Sequence, residues 1–170
     1  MPSPEDKYLK SSFYEQLTEH VFISEVLQEA WFRFGKVVDV CRSEIDATGY
    51  DVMLECNGII RHVQLKSSDK AAKAANQKVN IALSARPSGC VVWIFREEDP
   101  VSYRVALKYR FFGSQAGRPL DLSKFQIARH TKGNSKGVKG ERPNIRIIPK
   151  KEFVRIDDTK CLLQKLFDLA

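Results

Sequence analysis

DATGYDVMLECNGIIRHVQLKSS, residues 46–68, is a β-hairpin with polar side chains at positions that set it apart from ordinary strand alternation. Asn57-Gly58 supplies the turn, because a type I′ turn needs positive φ at both central residues and these two types tolerate it best. A two-residue turn fixes the register: Cys56 faces Ile59, Leu54 faces Arg61, Val52 faces Val63, and Asp51 falls opposite Gln64. One face then carries Val52, Leu54, Cys56, Ile59, Val63 and Leu65, with Arg61 alone out of pattern. The other carries Asp51, Gln64 and Lys66, which gathers a carboxylate, an amide oxygen and an ammonium at one end of the hairpin.

Those three groups suit one chemistry. A divalent cation such as Mg²⁺ or Mn²⁺ takes hard oxygen ligands, which Asp51, the Gln64 side-chain carbonyl and a backbone carbonyl between them can supply. Lys66 then orients or helps deprotonate a water beside the metal, as attack on a phosphodiester requires. The bland alternative is that Asp51 starts a strand, Gln64 is a satisfied edge amide and Lys66 is a solvated strand end. The alignment of all three by one turn register favours the site.

The hairpin resembles the core of the PD-(D/E)XK nuclease superfamily, which has an Asp on one strand and an acidic-x-Lys pair on the next. Here the pair reads Gln64-Leu65-Lys66, a variant similar to that of Mrr-like restriction endonucleases and some transposase endonuclease subunits. The resemblance covers about the first hundred residues. It implies a three-layer α/β/α restriction-endonuclease-like core with a mixed central sheet and a metal-dependent endonuclease activity. It also implies an acid from the upstream helix that completes the metal site. Glu25, ten residues before Gly35, is similar in spacing to the helix acid of Holliday-junction resolvases in the same superfamily, with Glu15, Glu19 and Glu29 as rivals.

The rest of the chain fits around that hairpin. A length of 170 residues and 43% apolar content suit a single domain, 1–170, with its core at about 12–107. Ser3-Pro4-Glu5-Asp6 is a helix start, and Ser12 with Glu15 makes a second. From there to Phe34 the spacing is helical, with Ile23, Leu27, Ala30, Trp31 and Phe34 as the apolar stripe and Gly35 as terminator. Val37–Arg42 is a first strand, followed by an acidic loop with Glu44 and Asp46, of which Asp46 is a lower-ranked candidate for a second metal. KAAKAANQK, residues 70–78, is a helix or a loop, and Val79–Arg86 is expected to form or continue a helix before Pro87-Ser88-Gly89. CVVWIF is a strand buried on both faces. Helix, three strands, helix, strand is the order the resemblance implies. Ser102–Leu107 is a further strand closed by core aromatics, Asn144–Ile148 another, and Asp158 caps a last helix at about 158–168.

Charge divides unevenly. Residues 1–58 hold five basic and eleven acidic side chains, a net of −6, leaving +13 for the rest of a chain whose total is +7. RHTKGNSKGVKGER, residues 129–142, has five basic residues, one acid and three glycines. Arg129, Lys132, Lys136, Lys139 and Arg142 are therefore candidates for a sequence-independent nucleic-acid backbone contact, most simply with DNA. The four cysteines and three histidines lack zinc-site spacing and read as reduced thiols and scattered imidazoles. No run of eighteen apolar residues and no secretory leader pattern is present, so the expected setting is cytoplasmic, with no membrane partner. A homodimer is a candidate assembly, although the sequence alone leaves the oligomeric state open. Two rival functions stand beside the nuclease: a nucleic-acid-binding module of the same fold that has lost cleavage, and a structural or interaction protein.

Overall fold

Asn57 and Gly58 both adopt positive φ, 54° and 79°, in the computed structural model, which describes residues 3–43, 48–130 and 139–170. The two strands they join, β2 (Val52–Cys56) and β3 (Ile59–Asp69), pair in the expected register, Cys56 with Ile59 through Val52 with Val63. Two helices precede them, α1 (Pro4–Leu9) and α2 (Ser11–Phe34), and β1 (Asp39–Arg42) pairs antiparallel with β2. Ser3 makes a capping box with Asp6 at the start of α1. The box expected at Ser12 is not used, because α2 starts at Ser11 with Lys10 as its cap residue and no side-chain cap bond.

Beyond β3 come β4 (Asn76–Asn80), a 3₁₀ turn (Ile81–Ala85), β5 (Gly89–Asp99), β6 (Arg104–Gly113), β7 (Gln126–Arg129), β8 (Glu141–Pro149), β9 (Val154–Ile156) and α3 (Thr159–Phe167). Strands β1-β2-β3-β5-β6-β9 form one mixed sheet, antiparallel except for the β3–β5 pair. Strands β4-β8-β7 form a small antiparallel sheet. The chain is thus mixed α/β with few helices.

Alternation along β5 shows how the layers stack. Val92 and Ile94 join Val52, Leu54 and Val63 in a core under α2 and α3, to which Phe22, Val26, Leu162 and Leu166 contribute. Val91 and Trp93 point the other way, into a second core with Val79, Leu83, Leu122, Ile148 and Phe153. Among the described residues the second face is therefore covered by the small sheet and the 3₁₀ turn, not by a helix. This corrects the helix expected over Val79–Arg86, and an α/β/α layering is not seen among the described residues. Asn80 explains the difference locally: its side chain accepts from the Ala82 N–H at 3.0 Å and caps a tight turn, while Val79 pairs with Arg146 on β8. The aromatics of β6 are core residues as expected, with Tyr109 and Phe111 buried.

The buried face of α2 carries Thr18, Phe22, Val26 and Ala30, with Val21, Ile23 and Phe34 beside the core. Leu27 and Trp31, expected inside, are exposed. Arg61, the residue out of pattern, is fully buried. Its Nε donates to Leu166 O at 2.7 Å, Nη1 to Ser114 O at 2.9 Å and Nη2 to Lys165 O at 3.3 Å. A cation thus closes the C-terminal carbonyls of α3, where helix dipole and orphan acceptors both favour positive charge.

All four cysteines are free, and burial pushes the Cys90 thiol up to about 12, which keeps it an inert core thiol, although nearby Arg61 acts to lower it.

Asp158 caps α3 by accepting from the Cys161 N–H at 2.7 Å. That backbone bond, with the Cys161 side chain, holds the Asp158 carboxyl below its ordinary value. Asp158→Ala should cost about 1 kcal/mol. Because the folded value lies below the unfolded one, the contribution is complete above about pH 4 and vanishes as pH falls through the folded value. Urea titrations of both proteins should differ at pH 7 and converge in acid.

A notch beside β3 as the candidate functional site

β3 outruns its partner. It pairs with β2 only from Ile59 to Val63 and with β5 from His62 to Asp69, so among the described residues its second half has no strand beside it on the β2 side. An unpaired edge leaves N–H groups to be satisfied. Asp51 does this with its side chain: Oδ2 accepts the Leu65 N–H at 2.6 Å, while its own N–H goes to Val63 O at 3.0 Å. The ladder therefore departs from the expected register one step early. Asp51 does not pair squarely with Gln64, and its carboxylate lies against the edge of β3.

The notch opens into a cleft of about 610 Å³ walled by the N-terminal half of α2 and lined by Glu15, Glu19, Arg42, Asp51, Lys66 and Gln77. Asp51 and Lys66 are thus brought together as the sequence required. Glu19 is paired with Arg42 at 2.7 Å, and Glu15 is exposed at the mouth. Gln64 is not among the lining residues. It is buried, 7% exposed, and its Oε1 accepts from the Asn80 N–H at 3.3 Å, linking β3 to the 3₁₀ turn.

Glu25 is not brought to this cleft. Its Oε2 accepts from the Tyr109 hydroxyl at 2.6 Å and the Thr159 hydroxyl at 2.8 Å, which ties α2 to β6 and α3. Burial, reinforced by Glu25, raises the Tyr109 pKa so that its phenol stays a donor. The helix acids at the cleft are Glu15 and Glu19, two of the rivals. The sign that would have found them is the core face of α2: with Phe22, Val26 and Ala30 inward, the side of the helix next to Thr18 meets the hairpin.

Of the basic candidates, Arg129 and Arg142 are exposed near the ends of β7 and β8, with Arg129 4.0 Å from Glu141, and Lys139 is exposed. Lys132 and Lys136 lie outside the described residues, as do Glu44 and Asp46.

The cleft offers hard oxygens, from Asp51, Glu15, Glu19 and the Gln77 amide, with an ammonium beside them. That donor set suits Mg²⁺ or Mn²⁺ rather than a soft metal. Among the described residues no group of three His, Cys, Asp or Glu side chains is placed to hold an ion, so a metal here would rest on two carboxylates and neutral oxygens.

The notch depends on Gly49, whose φ is 80°. A Cβ there would lie 2.6 Å from Leu83 N and 3.0 Å from Ala82 C, both main-chain atoms of the 3₁₀ turn. Gly49→Ala should therefore destabilise the protein by about 1–3 kcal/mol and shift Asp51, read by urea titration and amide exchange at Leu65.

Comparison with protein-family models, with curated proteins and with solved structures finds no match. The class that the fold defines is a mixed α/β protein with a six-stranded mixed sheet, and among the described residues no helix is long and apolar enough to cross a membrane.

Proposed function

We propose that the chain is a divalent-metal-dependent nuclease, acting on DNA, built on a restriction-endonuclease-like hairpin. The observation that supports it is the notch: Asp51, Lys66 and two α2 carboxylates line one cleft at the edge of β3. Asp51 and an acid from α2, Glu19 or Glu15, would hold Mg²⁺ or Mn²⁺. The chemistry such a cation supplies is charge neutralisation at a phosphate and a more acidic water. The chain's own residues do the rest. The Leu65 N–H fixes the Asp51 carboxylate at the edge of the sheet. Lys66 holds the attacking water and neutralises charge developing on the phosphate. Arg42, which lines the same cleft and pairs with Glu19, would compete with a cation for that acid.

The test is incubation of purified protein with supercoiled plasmid, single-stranded DNA and RNA in Mg²⁺ or Mn²⁺, with EDTA as control. Metal-dependent cutting is expected, and no cutting of any substrate with either metal overturns the reading. One observation favours the rival binding module: Gln64 is turned onto Asn80 rather than into the cleft. Both readings require a DNA-binding surface. Replacing Arg129, Lys139 and Arg142 by Ala should reduce the slope of log K against log salt by roughly 0.9 for each phosphate that is no longer neutralised. Fluorescence anisotropy over a salt series measures it, and an unchanged slope removes these residues from the interface.

A further inference from the structure

The outward face of α2 is unusual for a surface helix. Phe13, Leu17, Leu27 and Trp31 are all exposed on it, Phe13 at 63% and Trp31 at 58%. At 100° per residue they fall on one stripe with four exposed, uncharged polar residues. No Asp, Glu, Lys or Arg interrupts the stripe, although 29% of the chain is charged. Solvated helix faces carry charge, and an uncharged stripe with four exposed large apolar side chains marks an interaction surface.

The order of residues identifies the occupant. Reflected about Phe22, Phe13 coincides with Trp31, Gln16 with Gln28, Leu17 with Leu27 and His20 with Ser24. Aromatic meets aromatic, amide meets amide and leucine meets leucine. Phe13, Leu17, His20, Ser24, Leu27 and Trp31 also follow the alternating four-three spacing of a helix-pairing seam. Two-fold symmetry requires a self-complementary surface, in which residue i meets j and j meets i. A helix laid antiparallel on itself meets that condition when the residues at mirrored positions are complementary, as the aromatic, amide and leucine pairs are here. An unrelated partner imposes no such symmetry on the stripe.

We infer that the protein forms a homodimer through antiparallel pairing of α2 with α2 of a second copy, centred on Phe22. The seam is about 27 Å long from Phe13 to Trp31. Beside it lies a cleft of about 480 Å³ between α2 and the β5–β6 connection, lined in part by Leu17, Ser24 and Tyr103. The exposed Tyr103 extends the apolar surface along that side, with Glu25 and Arg104 at its edge, and enlarges the area towards the ~800 Å² per partner of a stable interface. The buried side of α2 keeps its packing on the sheet, so the pairing needs no rearrangement. This inference is independent of any chemistry in the notch.

Register makes it testable. In the antiparallel seam Leu17 of one copy faces Leu27 of the other, while the two copies of Leu17 stand about 15 Å apart along the axis, beyond disulfide reach. In the 170-residue chain with Cys41→Ser and Cys161→Ser, a mixture of Leu17→Cys and Leu27→Cys proteins should oxidise to a covalent heterodimer, whereas each alone should not. Sedimentation velocity should show a dimer for the unsubstituted chain. Leu17→Glu with Leu27→Glu should weaken it at least about 30-fold with unchanged circular dichroism. A monomer at about 100 µM, above the micromolar end of the range for standard-size interfaces, self-linking of Leu17→Cys as efficient as the mixture, or a dimer indifferent to the two glutamates would each overturn the proposal.

Discussion

Arg61→Leu should lower the stability of the fold by about 3–5 kcal/mol, a large part of the 5–15 kcal/mol typical of a domain. Leucine fills most of the volume but donates to nothing. Three main-chain carbonyls, Ser114, Lys165 and Leu166, lose their charged donor at once. The Leu166 carbonyl is buried and costs about 1–3 kcal/mol when left without a partner, the part-buried Ser114 and Lys165 carbonyls cost less, and part of the loss is recovered because the guanidinium no longer has to be desolvated. Arg61→Lys should recover only part of the loss, since one ammonium cannot span the fork of three acceptors. Urea denaturation measures all three proteins. A cost below about 1 kcal/mol for Arg61→Leu would mean that water replaces the guanidinium at the end of α3.

What the sequence made legible follows the range of the interactions that decide each element. The Asn57-Gly58 turn is local, so the hairpin register from Cys56 to Val52 could be read directly, and with it the company of Asp51 and Lys66. Arg61 stood out because a charge sat on an apolar face, but its partners lie 53 to 105 residues away and no local pattern named them. Val79–Arg86 misled for the same reason. Its composition is compatible with a helix, and the pairing of Val79 with Arg146 is a long-range contact that propensity cannot supply. The facing of α2 was ambiguous because the helix has two apolar sides, Phe22-Val26-Ala30 inward and Phe13-Leu17-Leu27-Trp31 outward. Mixing the two places Leu27 and Trp31 in the core, while the spacing to Gly35 points to Glu25 where the fold brings its rivals Glu15 and Glu19 to the cleft.

Lys66→Met should lower cleavage by about 10²–10⁴-fold while leaving DNA affinity and folding nearly intact. The aliphatic stem keeps its packing at the half-buried wall of the notch, and only the charge that holds the water is removed. Asp51→Asn is the matching change at the metal. The amide oxygen of Asn can still accept the Leu65 N–H that Asp51 accepts at 2.6 Å, so the edge of β3 stays satisfied and loss of activity reports the cation. Asp51→Ala would confound the two. Gln64→Glu tests the place of residue 64 without an activity assay. The side chain is 7% exposed and turned onto the Asn80 N–H, outside the cleft, so an ionised group there is costly without a counter-charge. The variant should therefore melt below the unsubstituted protein, and millimolar Mn²⁺ should leave that difference unchanged. Recovery of the difference in Mn²⁺ would put residue 64 beside the cation, because a ligand that binds only the native state stabilises it by mass action. Survival of cleavage in Lys66→Met would remove the lysine from the reaction.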